Sequence, residues 1–308
     1  MVIDQEFEKQ LQSMHFFDEE IRDGYVVSKE LKKIWAVELD LLRDFIRVCD
    51  QYNLRFYLDG GSLLGAIRHK GYIPWDDDID IVMPREDYDK LLQIASDEFK
   101  APYEFQSPYH MSNYPRSHVQ IRNITTTAVL SDEVGCYNFN QGIFIDIFPL
   151  DVVPDNTKAL NKYMRHTFIL SMLRRLKYHF FSNNHKFMRF ASHVLSVLIP
   201  KRVASFERYE KYCKKYSGLQ DCLMEAFAFR EGVKSKLRYI HSEWYTDSII
   251  VPFEMFNITI PAGYNNVLTN MYGPNYMTPV KNPSYHGHVI FDTDKPYDSD
   301  RVVREYKK

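Results

Sequence analysis

Cysteine is scarce in this 308-residue chain, and Cys49, Cys136, Cys213 and Cys222 form no C-x-x-C pair. That spacing excludes a dense disulfide framework and a structural zinc ribbon, and it reads as reduced thiols in a cytoplasmic protein. Long apolar runs are also missing. The best candidate, "FASHVLSVLIP" at residues 190–200, is interrupted by His193 and is about half the ~20 residues a spanning helix needs. The leading "MVIDQEFEKQLQSMHFF" has neither a basic n-region nor an apolar h-region, so no secretory signal is expected. The chain shows no internal repeat and no low-complexity segment. Its net charge of -2 favours no partner by itself, and without a recognisable nucleic-acid module, nucleic acid is not expected as a partner.

Aromatic residues are plentiful, with 22 Tyr and 21 Phe. Charge is unevenly spread. Residues 158–215 hold fourteen Lys or Arg against only Glu207 and Glu210. Set among Tyr, Phe, Leu and Met at helical spacing, these charges read as a helical subdomain with a basic face. Such a face is either simply solvated or a docking surface for anionic phospholipid or a polyanionic acceptor.

Periodicity places the remaining elements. Leu31, Ile34, Trp35, Leu42, Phe45, Ile46 and Cys49 recur at helical spacing over residues 29–50, with Ser28 as N-cap. A short strand at 55–58 runs into glycines, and a short helix opens at Ser62. "DIDIVM" has strand character, and Pro84 starts the following helix. "SHVQIRNITTTAVL" and "GIFIDIFPL" are β-rich. From Trp244 onward a hairpin, a helix and a Gly-Pro turn are expected, with a loosely held polar tail from Asp292. The fold class is therefore α/β (α+β). Residues 1–157 form the core, 158–243 the basic helical subdomain, and 244–308 pack on the core and complete the site.

Four carboxylates, Asp76, Asp77, Asp78 and Asp80, crowd the entrance to an apolar strand. Like charges so close repel, and burying them is costly without a cation. Side chains alternate along a strand, so Asp78 and Asp80 point one way while Ile79 and Ile81 enter the core. Two same-face carboxylates form a hard-oxygen cradle for Mg²⁺ or Mn²⁺. A third is expected from Asp146, which sits inside the apolar run "GIFIDIFPLD" and must be paired or metal-bound there. Upstream, Gly60, Gly61 and Ser62 join a strand to a helix. Glycine permits close backbone approach, and the helix N-terminus offers free N–H groups to an anion. Arg68 and Lys70 lie between the two features and are candidates to neutralise phosphate.

The stretch "YLDGGSLLGAIRHKGYIPWDDDIDIVMPREDYDKLL" closely resembles the signature of the LicD family, phosphotransferases of nucleotidyltransferase-like fold related to fukutin-type proteins. "VQIRNITTT", "GIFIDIFPLD" and the late "FEMFNITIPAGYNNVLTNMYGPNYMTP" resemble later blocks. The resemblance implies a mixed sheet flanked by helices. It implies transfer of a phospho-alcohol, phosphocholine above all, from a CDP-activated donor to a sugar hydroxyl of a cell-surface glycan. The acceptor would be free or lipid-linked, and CMP would be released. Carried over by position, Gly60, Gly61 and Ser62 hold donor phosphate, Asp78, Asp80 and Asp146 bind metal and catalyse, and Arg122 meets phosphate. Choline would need ring faces, for which Tyr72 and Trp75 lie nearest in sequence, while His286 and His288 are placed on the acceptor side. The implied location is cytoplasmic, peripheral at the inner membrane face. Two other readings stay open: a nucleotidyltransferase releasing pyrophosphate, and a glycosyltransferase whose D-x-D holds the metal of a nucleotide-sugar.

Overall fold

A computed structural model describes residues 2–111, 114–154, 156–177, 202–217, 223–226, 240–280 and 288–306. The apolar run 190–200, much of the basic stretch and His286 lie outside these residues. Helix α1, Gln5–Ser13, is followed by a small hairpin of β1 (Glu20–Arg22) and β2 (Tyr25–Val27) that the periodicity had not marked. The long helix α2, Lys29–Tyr52, starts where expected: Ser28 Oγ accepts from the Leu31 N–H at 3.2 Å. It stops at Asn53, whose φ of 52° is the left-handed conformation asparagine tolerates. Trp35, Leu39, Leu42, Phe45 and Cys49 are buried along its apolar stripe. Each such side chain contributes roughly 1.5–3 kcal/mol of transfer free energy.

That stripe lies against a mixed sheet. Its centre is β8, Ile143–Val153, which pairs in parallel with β4, Asp80–Pro84. Beyond β4 lies the two-residue β3, Tyr57–Leu58, antiparallel. On its other side β8 meets β6 (Val119–Asn123) through residues 143–147, and β9 (Leu223–Ala226) through 150–153. Strands β5 (Tyr103–Gln106) and β10 (Ile240–His241) extend the two arms. The segment 158–243 thus supplies strands to the sheet besides its described helices, α5 (Thr157–Lys177) and Arg202–Cys213. Ile79 and Ile81, Ile145 and Ile147, and Val119 and Ile121 are fully buried on alternate positions of the sheet strands and their approaches.

Helix α3, Gly60–His69, follows β3, and helix α4, Arg85–Glu98, follows β4. Arg85, buried at the start of α4, pairs with both Asp151 oxygens at 2.7 Å and with Glu210 at 2.9 Å. This joins the helix Arg202–Cys213 to the core, and removing one partner of such a buried pair costs about 3–5 kcal/mol. Residues 248–272 give the expected hairpin, β11 (Ser248–Phe253) with β12 (Phe256–Pro261), and a helix over Tyr264–Tyr272. A further pair, β7 (Thr127–Leu130) with β13 (Val289–Asp292), caps the sheet near β8.

The tail is not loosely held. Residues Ser299–Tyr306 form a helix with Val302 fully buried. Arg301 anchors it by donating to Asp292 at 2.8 Å and Thr127 Oγ1 at 2.9 Å. Polarity suggested looseness, yet Arg301 and Asp292 are spent on these contacts.

Candidate active site

The glycine corner is built against the acidic strand. Asp59 N–H donates to the Asp80 carbonyl at 2.9 Å, which aligns the end of β3 with the start of β4. Gly60 then turns with φ +52°, and a Cβ there would sit 3.1 Å from Asp80 Oδ2. At Gly61 an added Cβ would stand 2.5 Å from Asp76 Oδ2. Both glycines are required by close approach, and Gly60 by its left-handed backbone as well. The helix opens two residues earlier than expected, at Gly60, with Asp59 in the N-cap position. Ser62 is buried, and its Oγ accepts from the Asp80 N–H at 2.9 Å. Its hydroxyl therefore fixes the entry of β4.

The acidic loop is held from below by α2. Trp35 Nε1 donates to the Asp76 carbonyl at 2.8 Å. The carboxylates of Asp76, Asp77 and Asp78 each place an oxygen within 4.8 Å of the others. Asp80 is the register partner of Asp146 across the parallel β4–β8 pair, so their side chains emerge side by side on one face. Asp77, Asp78 and Asp146 line one cavity. Of the three residues expected to converge, Asp80 and Asp146 are register partners and Asp78 and Asp146 border one cavity, whereas the three carboxylates whose oxygens lie within 4.8 Å of one another are those of Asp76, Asp77 and Asp78.

Electrostatics follow from this crowding. Burial, then repulsion from Asp78 and Asp77, pushes the Asp76 carboxyl up to about 8, although Arg68 pulls the other way. Asp80 is pushed well above the usual carboxylate range by burial and by Asp78, Asp146, Asp59 and Asp76. Burial acts to raise Asp146 too, but His118, Gln120 and Arg116 outweigh it and hold this carboxyl below its ordinary value. Gln120 Nε2 donates to Asp146 Oδ1 at 2.7 Å, and His118 Nε2 lies 3.0 Å from the same oxygen. Several carboxylates that repel each other, all hard oxygen donors, suit a divalent cation such as Mg²⁺ or Mn²⁺. Asp78 belongs to both the Asp76–Asp78 cluster and the cavity shared with Asp146.

Other expectations need correction. Arg122 does not face phosphate. It is fully buried, donating to Gln120 Oε1 at 2.7 Å, Gly142 O at 2.6 Å and Ala128 O at 3.2 Å. It fixes the amide of Gln120, and through it Asp146. Tyr72 is no cage wall. Its ring stacks on Trp35 at 4.4 Å and its hydroxyl donates to the buried Glu38 at 2.9 Å. Trp75, half-buried, packs on Tyr25 with ring centroids 4.4 Å apart. Arg68, near the C-terminal end of α3, donates to the Tyr276 carbonyl at 2.9 Å and still acts electrostatically on Asp76. Lys70, exposed, caps that same end. His288 is exposed, next to β13, and its carbonyl accepts from the Ser131 N–H at 2.9 Å.

Arg116, His118 and Gln120 were missed. The alternation in "SHVQIRN" held the signal for two of them. With Val119 and Ile121 in the core, His118 and Gln120 must share the opposite face, and the register of β6 on β8 sets Gln120 opposite Asp146.

Residues 53–185 match the family described as LicD/FKTN/FKRP, nucleotidyltransferase domain. The chain is 26% identical over 266 residues to the lipopolysaccharide cholinephosphotransferase LicD of Haemophilus influenzae, covering 84% of this chain and 96% of that one. A 56-residue stretch, 18% of this chain and 11% of the relative, is 41% identical to the ribitol 5-phosphate transferase FKRP of Homo sapiens. An uncharacterized protein of Rickettsia prowazekii is 27% identical over 139 residues, 45% of this chain and 47% of its own.

Proposed function

We propose that this chain, which through residues 53–185 belongs to the LicD/FKTN/FKRP nucleotidyltransferase-domain family, transfers a phospho-alcohol from a CDP-activated donor to a sugar hydroxyl of a cell-surface glycan. Phosphocholine is the favoured group, because the relative that spans most of the chain is a cholinephosphotransferase. The observation that carries the reading is the pressing of Gly60 and Gly61 onto Asp80 and Asp76. It sets the N-terminus of α3 beside clustered carboxylates, which suits a diphosphate.

In this reading the free N–H groups of the first turn of α3 bind and orient the donor's phosphate oxygens. Asp76, Asp77 and Asp78, with Asp80 and Asp146 behind them, would hold Mg²⁺ or Mn²⁺, which when bound supplies charge neutralisation for the diphosphate. The acceptor oxygen attacks the distal phosphorus, forming one P–O bond. The bridging P–O bond breaks, and its electron pair leaves with CMP. A carboxylate of the cluster takes the hydroxyl proton. No covalent enzyme intermediate is needed, so positioning and electrostatics do most of the catalysis. Ser62, Trp35, Gln120 and Arg122 contribute by fixing where the carboxylates stand.

A CDP-activated donor suggests work on the cytoplasmic side. Among the described residues no helix is long and apolar enough to cross a membrane. An anionic membrane surface as partner is supported by the exposed stripe Lys158, Lys162, Arg165, Ile169 and Met172 along α5, basic at one end and apolar at the other.

The test is product analysis of purified protein given CDP-choline, CDP-ribitol or UDP-sugars, with Mg²⁺ or with chelator. CMP release from a CDP-alcohol, lost on chelation, is expected. Pyrophosphate from a nucleoside triphosphate would instead favour nucleotidyl transfer, and turnover of a UDP-sugar a glycosyltransferase.

A further inference from the structure

The late block "YNNVLTNMYGPNYMTP" forms the helix Tyr264–Tyr272 and the turn after it, and the chemistry above gives it no part. The fold carries the last residue of that helix to the glycine corner. Val267 and Leu268 are fully buried and seat the helix in the core. At its start the Gly263 N–H donates to the Trp244 carbonyl at 3.0 Å. At its end Gly273 turns with φ +85°, and Tyr276 doubles back, its hydroxyl donating to Asn265 Oδ1 at 2.7 Å. The Tyr276 carbonyl in turn accepts from Arg68 of α3 at 2.9 Å. These contacts tie the end of the helix to α3 and set where Tyr272 stands.

The Tyr272 hydroxyl lies 3.9 Å from the point where a Cβ on Gly60 would stand, and Asp80 Oδ2 lies 3.1 Å from that same point. Glycine at position 60 therefore leaves a gap bordered by the phenol on one side and the carboxylate on the other. Tyr272 is 44% exposed, and Gly61, Asp76 and Asp80 are half-buried, so this corner is not sealed from solvent. Among the described residues no hydrogen bond occupies the hydroxyl. Partial burial, then the negative charges of Asp59, Asp80, Asp76 and Asp78, push the phenol above its ordinary range, so it keeps its proton.

Charge decides what such a group serves. A phenol that keeps its proton is a poor ligand for a hard divalent ion, so Tyr272 does not join the carboxylates in holding one. A lysine or arginine here would be drawn into an ion pair with the nearby carboxylates and spent there. A neutral O–H is not, and a hydrogen bond to an anionic oxygen is of the strong kind. The anion this corner suits is a diphosphate, drawn by the free N–H groups of α3 and repelled by the bare carboxylates.

We infer that Tyr272 binds the donor: its hydroxyl donates to a diphosphate oxygen held at the N-terminus of α3, across Gly60 from Asp80. The inference rests on the proposed function and adds to it a binding residue from the C-terminal segment.

The test uses the full chain with Mg²⁺ and calorimetry with cytidine and CDP. CDP carries the diphosphate without an alcohol, so the result is independent of which alcohol is transferred. Tyr272→Phe removes the hydroxyl and keeps the ring, whereas Tyr272→Leu removes both. The wild type is expected to bind CDP more tightly than cytidine. Tyr272→Phe should weaken CDP about 10- to 100-fold, leave cytidine unchanged and melt with the wild type. The kcat/KM for the CDP-alcohol that the wild type uses should fall with it. A loss confined to Tyr272→Leu overturns the inference, because it assigns the ring and not the hydroxyl. Equal weakening of cytidine and CDP in Tyr272→Phe overturns it too, as the mark of a displaced helix. A wild-type chain that binds CDP no more tightly than cytidine fails the proposed function and this inference together. A wild type that holds CDP, beside a Tyr272→Phe chain that holds it equally, fails Tyr272 alone.

Discussion

Asp76 Oδ2 occupies the space where Gly61 would carry a side chain, 2.5 Å from the position of a Cβ. The helix start and the acidic loop are therefore packed against each other through this carboxylate. Gly61→Ala is expected to displace the Asp76 carboxylate and to lower transfer at least 100-fold. The fold should survive, because Asp76 sits at the end of a side chain that can shift. Initial rates beside circular-dichroism melting measure both effects, and wild-type turnover in this variant would disprove the close-packed corner.

Asp78→Ala and Asp80→Ala should each abolish turnover while the protein stays folded. Residual activity above about a tenth of wild type in either variant would contradict the proposed roles of these carboxylates.

The pH dependence of stability has a definite sign. Asp76 is held at about 8 in the folded chain against an ordinary 3.8. Between those values the native state binds the extra proton, so this group's stabilising contribution is complete below about pH 4. It is lost as pH rises through about 8. Without divalent cations the melting temperature should fall across that window, and Asp76→Asn should flatten the fall. A wild-type melting profile unchanged by the substitution would rule this out.

Arg122→Met leaves Gln120 Oε1 and the Gly142 carbonyl without their buried donor. It should cost about 1–3 kcal/mol or more of stability by denaturant titration. Any loss of donor affinity should be no larger than that of Gln120→Ala, because Arg122 is sealed from the site and acts on it only through Gln120 and Asp146. A loss of CDP-alcohol binding well beyond that of Gln120→Ala in a stable Arg122→Met protein would restore the phosphate-binding role.

Anionic vesicles should retain the chain more strongly than neutral ones, and charge reversal at Lys158, Lys162 and Arg165 should remove most of that difference in co-sedimentation. Equal retention by both vesicle types would sever the basic stripe from any membrane role.

Local pattern alone determined much of this protein. Helical spacing and Ser28 located α2, alternation separated Asp80 from Ile81, and an Asp within "GIFIDIFPL" announced a partnered carboxylate. Those features are written within a few residues of one another, and period and burial suffice to read them. Register is different. That Asp80 lies beside Asp146, and that Gln120 reaches the same oxygen, depends on β4, β6 and β8 pairing across dozens of residues. The family resemblance places Arg122 on phosphate, and an aromatic ring near the acidic cluster in sequence makes Tyr72 a candidate for choline. Only the packed structure decided that their hydrogen bonds were already spent on Gln120 and Glu38, since a buried polar group takes whichever partner the tertiary fold delivers.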